Sequence, residues 1–131
     1  MEKYVCNLEL AKKLKELGAK QESEFWWVGL LTDIEGKWCG HIIRKKEGFD
    51  LNMRYSAFLS DELLEMLPGE IEFENSYCIL TIEKGIRYKV FYTSLGSGEC
   101  VKKELKLPNA LAKMLIYLIE QKILDPKHPK L

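Results

Sequence analysis

The feature that most limits what this chain can fold into is a helix with almost no wet side. In NALAKMLIYLIEQKI, residues 109–123, the apolar residues Ala110, Leu111, Ala112, Met114, Leu115, Ile116, Leu118 and Ile119 wrap most of the girth. Only Lys113, Tyr117 and Glu120 form a polar stripe. A helix apolar nearly all round is a buried one, so other elements must cover it on more than one side. Pro108 opens this helix and Asp125-Pro126 lies past its end.

A second segment carries the same excess. EFWWVGLL, residues 24–31, reads as a strand in which Phe25, Trp27 and Leu31 share one face and Trp26, Val28 and Leu30 the other. An antiparallel strand with one solvated face alternates apolar and polar residues, and this one does not. Either helices lie on both sides of the sheet, or a second chain supplies the cover. The second option makes the protein a two-fold homodimer, with Trp26, Trp27, Leu30, Leu115, Leu118 and Ile119 as the expected interface.

The remaining segments fill in an α+β domain. Asn7 caps a helix through LELAKKLKEL and Gly18 stops it. KWCGHIIRK and LNMRYSAF follow as strands, with DIEG, residues 33–36, as the turn before them. LSDELLEMLPG is a second helix, with Ser60 as its cap and Pro68-Gly69 as its stop. EIEFEN, YCILTIEK and IRYKVFYTS read as an antiparallel meander, and CVKKELKL as a further edge strand. Hairpin-length joints favour antiparallel over parallel pairing. The expectation is one antiparallel sheet of five to six strands with three helices packed on it. It forms a single domain over 1–125, with a frayed tail at 126–131.

Twenty basic and twenty acidic residues cancel, which argues against a general binder of polyanions. The cancellation is not local. Residues 1–54 carry a net +1, residues 55–83 carry −7 with no basic residue, and residues 84–131 carry +6. An acidic middle and a basic end are complementary within one chain or between two copies; a solvated surface is the plainer reading. The N-terminus turns charged and helical at once and no apolar run nears the ~20 residues that span a bilayer, which predicts no leader and no membrane. Cys6, Cys39, Cys78 and Cys100 form no CxxC pair and read as reduced, packed thiols of a cytoplasmic protein.

No constellation points firmly to chemistry. Cys39 and His41 share a strand face, but two strand steps of about 3.3 Å put their Cα atoms too far apart for a direct catalytic pair. Those two with Cys78 and Cys100 have zinc-type ligands without zinc-type spacing, so no metal is expected. Glu70, Glu72 and Glu74 alternate with Ile71 and Phe73, as on any half-exposed strand. SLGSGE lacks the following helix that a phosphate loop needs. Arg44, Lys45, Lys46 and Arg54 near the tryptophans are too few, beside Glu47 and Asp50, to predict single-strand nucleic-acid binding.

Three segments carry a resemblance. LELAKKLKELGAKQESEFWW, YSAFLSDELLEMLPG and NALAKMLIYLIEQKIL resemble those of small uncharacterised proteins encoded by bacteriophages and prophages. The match takes in both ends and the middle; residues 77–107 have no counterpart. The resemblance implies a bacterial or phage-infected cytoplasm and brings no activity, cofactor or catalytic residue with it. The expected function is therefore a non-enzymatic accessory protein, a homo-oligomeric interaction module that meets a host or phage protein. The alternative is a small-ligand domain or enzyme with an aromatic pocket in which His41 or Tyr55 is the polar handle. No cofactor is expected in the first case.

Overall fold

A computed structural model describes residues 2–32, 38–44, 54–73, 76–94 and 97–126. The expected turn at 33–36, Lys45 and Lys46 and the tail from 127 lie outside them. After a 3₁₀ turn at Glu2–Tyr4 come α1 (Leu8–Glu16), β1 (Phe25–Thr32), β2 (Trp38–Arg44) and β3 (Arg54–Ser56). Then follow α2 (Ser60–Met66), β4 (Glu70–Phe73), β5 (Ser76–Lys84), β6 (Tyr88–Ser94), β7 (Ser97–Glu104) and α3 (Leu107–Glu120). The class is α+β with antiparallel pairing and three α-helices, as expected. Among the described residues the strands form two sheets rather than one: β2-β1-β3 and β4-β5-β6-β7.

The helix ends follow their sequence signals closely. Asn7 Oδ1 accepts from the Leu10 N–H at 2.9 Å and caps α1. At its other end the Gly18 N–H donates to Lys15 O and the Ala19 N–H to Leu14 O, the paired bonds of a Schellman motif, with Gly18 at φ +93°. The end of α3 repeats the motif through Lys122 N–H to Ile119 O and Ile123 N–H to Leu118 O. There the left-handed position is held by Lys122 at φ +60°.

The start of α2 corrects one expectation. Ser60 is its first helical residue and Leu59 the residue before it, so the cap is not the Ser60 hydroxyl. The Glu62 carboxylate reaches back instead, accepting from the Leu59 N–H at 2.8 Å. The same carboxylate accepts from the Ser23 hydroxyl at 2.6 Å and the Glu24 N–H at 3.1 Å, fastening the entry of β1 to α2. Ser23 is buried, and its N–H donates to Ser56 Oγ at 3.4 Å, while the Ser56 N–H donates to Gln21 Oε1 at 2.7 Å.

Helix α3 is the centre of the molecule. It lies against β6 and β7 on one side and against α1 and α2 on the other, and α1 packs in turn on β3. Ten of its fourteen residues are buried, which accounts for the lack of a wet side. Its polar stripe is also engaged. Lys113 pairs with Glu104, Lys102 lies 4.7 Å over the Tyr117 ring, and Glu120 is 3.8 Å from Lys13. Asn109 Oδ1 accepts from the Asn7 N–H at 2.8 Å and ties the starts of α1 and α3 together.

The two tryptophans divide between the faces of β1. Trp27, opposite Ile42 and Tyr55, enters the main core, and its indole N–H donates to Cys6 O at 3.0 Å. Trp26 and Val28 are buried on the other face, apart from that cluster. Beyond Val28 the alternation breaks. Gly29 pairs with Gly40 and Leu31 with Cys39, so Leu30 is the extra residue of a bulge. The bulge moves Leu31 into the register of Val28, not that of Trp27 where strict alternation would put it.

Candidate functional site

Five of the six residues expected to form an exposed interface are interior. Trp26 is 3% exposed and Trp27 7%, while Leu115, Leu118 and Ile119 are buried within the same chain. For the α3 residues the physical reason is its sandwiching between the larger sheet and the other two helices: the chain itself supplies their cover. The side chain of Leu30 lies outside the described residues. The five described residues therefore form no exposed patch on this chain.

His41 pairs with Val28 and Tyr55 with Trp27, so they occupy registers of opposite parity on β1. The Tyr55 ring packs against the core and lies under Lys12 and Lys15, at 5.9 and 5.1 Å. The zinc-type set is likewise divided: Cys39 and His41 stand on β2, whereas Cys78 is buried in the other sheet. Among the described residues no group of three or more His, Cys, Asp or Glu comes together. Arg44 is exposed and sits 3.9 Å from Glu24. Cys6 is a packed thiol, pushed from its ordinary 9.0 up to about 12 chiefly by burial, against a weaker opposing effect of its hydrogen bond at Phe58.

The surface that does stand out is the outer face of the four-stranded sheet. Cys78, Val90 and Tyr92 point inward and are buried, and the Tyr92 hydroxyl donates to Pro68 O at 2.6 Å. Strand alternation then sends Tyr77, Ile79, Thr81 and Glu83 of β5 outward, with Lys89, Phe91 and Thr93 of β6. Their cross-strand partners complete the face: Glu70 and Glu72 on β4, Val101 and Lys103 on β7. Tyr77 is 74% exposed and Ile79 56%, and Val101 is exposed beside the half-buried Phe91. The apolar residues occupy the middle of the face. Carboxylates hold one corner, where Glu70 lies opposite Ile79 and Glu72 opposite Tyr77. Lysines hold the diagonally opposite corner, where Lys89 lies between Glu83 and Lys103.

Among the described residues, three concavities mark the surface. An open groove of about 520 Å³ runs past Tyr4, Leu59, Tyr88, Leu105 and Pro108, with Lys3, Lys106 and Asp61 at its rim. A pocket of about 260 Å³ lies over the Ser23–Glu62 contact, between Phe58, Met66 and Pro126. The β5–β6 turn shapes a shallow cleft of about 460 Å³ around the exposed Ile86, among Lys84, Arg87, Lys89 and Lys103. None gathers a nucleophile, a base and an orienting group within hydrogen-bonding reach of each other.

The signal for the outer face was present in the alternation EIEF and YCILTIE, which sends Glu70, Glu72, Tyr77 and Ile79 to one side. Which side was covered depended on where α3 packs, and sequence pattern does not carry that. The chain matches no protein-family model, no curated protein and no solved structure. Among the described residues no helix is long and apolar enough to cross a membrane.

Proposed function

We propose that the protein is a non-enzymatic interaction module, an accessory protein of the phage or prophage kind, that binds protein through the outer face of its four-stranded sheet. The observation that supports this reading is the central apolar strip, Tyr77, Ile79, Phe91 and Val101, on an exposed antiparallel sheet with charge confined to two corners. Contiguous apolar surface rimmed by charge is the usual anatomy of a protein-binding patch. The experiment is site-specific photo-cross-linking in the cell of origin. A benzophenone side chain in place of Ile79 should give protein adducts, and one in place of the exposed Glu16 on α1 should not. Equal labelling from both positions, or none from Ile79, overturns the reading.

A second reading has an observation of its own. The groove between Tyr4, Tyr88 and Leu105 offers aromatic and apolar walls with lysines at the rim, which suits a small anionic ligand with a planar apolar part. It is a different site from the pocket expected at His41 and Tyr55. Ligand screening by thermal shift, with Tyr4→Ala as control, tests it. A hit abolished by that substitution favours it, and an unaffected hit removes it.

A further inference from the structure

We propose that the partner for the outer sheet face is a second copy of this chain, docked about a two-fold axis that sets the acidic corner of one sheet over the basic corner of the other. This rests on the reading of that face as a binding surface and names its occupant.

The charge layout is the first argument. Glu72 stands opposite Tyr77, six residues along β5 from Glu83, while Lys103 stands two strands across from Glu83 through Lys89. With strands about 4.8 Å apart and about 3.3 Å per residue, the two corners are roughly 20–25 Å from each other. That exceeds the screening length of about 8 Å at physiological salt, so the corners do not neutralise each other within one chain. Glu83 faces Lys89, yet Lys103 and the neighbouring Arg87 leave the second corner positive. A two-fold axis lying in the interface, perpendicular to the line between the corners, exchanges them. Each acidic corner then meets a basic corner, twice, as an isologous interface requires. The like-charged alternative, acid on acid, arises if the axis runs along the corner-to-corner line, and repulsion disfavours it.

Geometry is the second argument. On these spacings the axis so placed passes between Thr81 and Thr93 and sets Ile79 of one copy over Phe91 of the other, so apolar side chains meet on both sides of the centre. The strands of the two sheets then cross steeply, close to the orthogonal mode in which sheets pack. Four strands, the longest of nine residues, give a face roughly 19 Å by 26 Å. About 500 Å² per copy, or about 1,000 Å² for the pair, sits at the lower bound for a specific interface. A reversible dimer is the result.

The test uses the full chain. Light scattering over a concentration series should move from 15.3 kDa towards twice that mass. The Ile79 cross-linker should give an adduct of two chains. Glu72→Lys and Lys103→Glu should each weaken association roughly tenfold, and the double variant should recover most of the loss because the charges are exchanged. Circular dichroism confirms that each variant is folded, since both positions are exposed. A monomer at all concentrations whose Ile79 adducts contain only other proteins overturns the second copy and leaves the binding face standing. No adduct of any kind overturns both. A dimer whose double variant is no better than the singles overturns the corner-to-corner docking.

Discussion

Replacing Glu62 by alanine should destabilise the protein by about 2–3 kcal/mol, although the residue is on a helix surface and not in the apolar core. Its carboxylate accepts three hydrogen bonds, from the Leu59 N–H, the Ser23 hydroxyl and the Glu24 N–H. Hydrogen bonds to a charged group contribute about 1.5–3 kcal/mol when buried, but these three are not equal. The Glu24 bond is exposed and counts for little. Loss of the Leu59 contact removes the side-chain acceptor that serves the start of α2, worth about 1 kcal/mol by analogy with cap substitutions. The Ser23 hydroxyl is buried and loses its shortest partner, yet Ala57 O waits 3.0 Å away and relieves part of the cost. The net is about 2–3 kcal/mol. With a urea slope near 2 kcal/mol/M, the midpoint should fall by about 1–1.5 M. A cycle with Ser23→Ala adds the decisive number: the two losses should fall short of additivity by about 1 kcal/mol. Additivity within a few tenths, or a Glu62→Ala loss below about 0.5 kcal/mol, would refute the reading of Glu62 as the clasp between β1 and α2.

Lys122→Gly should stabilise the protein by about 0.5–1 kcal/mol, since Lys122 holds a left-handed position that costs a side-chain-bearing residue about 1–2 kcal/mol, partly offset by the chain entropy glycine loses. Gly18→Ala should cost about 1 kcal/mol from the backbone alone, because the added Cβ would meet only Pro126 Cγ at 3.6 Å; calorimetry reads both, and equal signs would refute the argument. Leu115→Glu should unfold the chain, while Tyr77→Ser should change stability by less than about 0.5 kcal/mol, as urea melts would show. Cys6 keeps its proton when folded up to about pH 12 but loses it near pH 9.0 when unfolded. Stability is therefore unaffected below pH 9 and falls above it by about 1.4 kcal/mol per pH unit. Cys6→Ala should remove that share of the slope in melts between pH 8 and 11, and identical slopes would refute it.

What the residues determined by themselves is local. Asn7 and Gly18 bracket α1 because a cap and a left-handed stop act within one turn of chain. The apolar girth of 109–123 was enough to require burial on several sides, and β7 was legible as an edge strand. What only tertiary structure decided is who covers whom. Periodicity says that Trp27 or Leu118 must leave water but not whether a neighbouring copy or the chain's own layers receive it, and α3, held between sheet and helices, settles that for its own residues. The same holds for Glu62, whose partners at 23 and 24 are close only after folding, and for Leu30, whose bulge resets the register of β1. Contacts between segments far apart in sequence depend on the sum of many weak packing choices, and no single stretch encodes them.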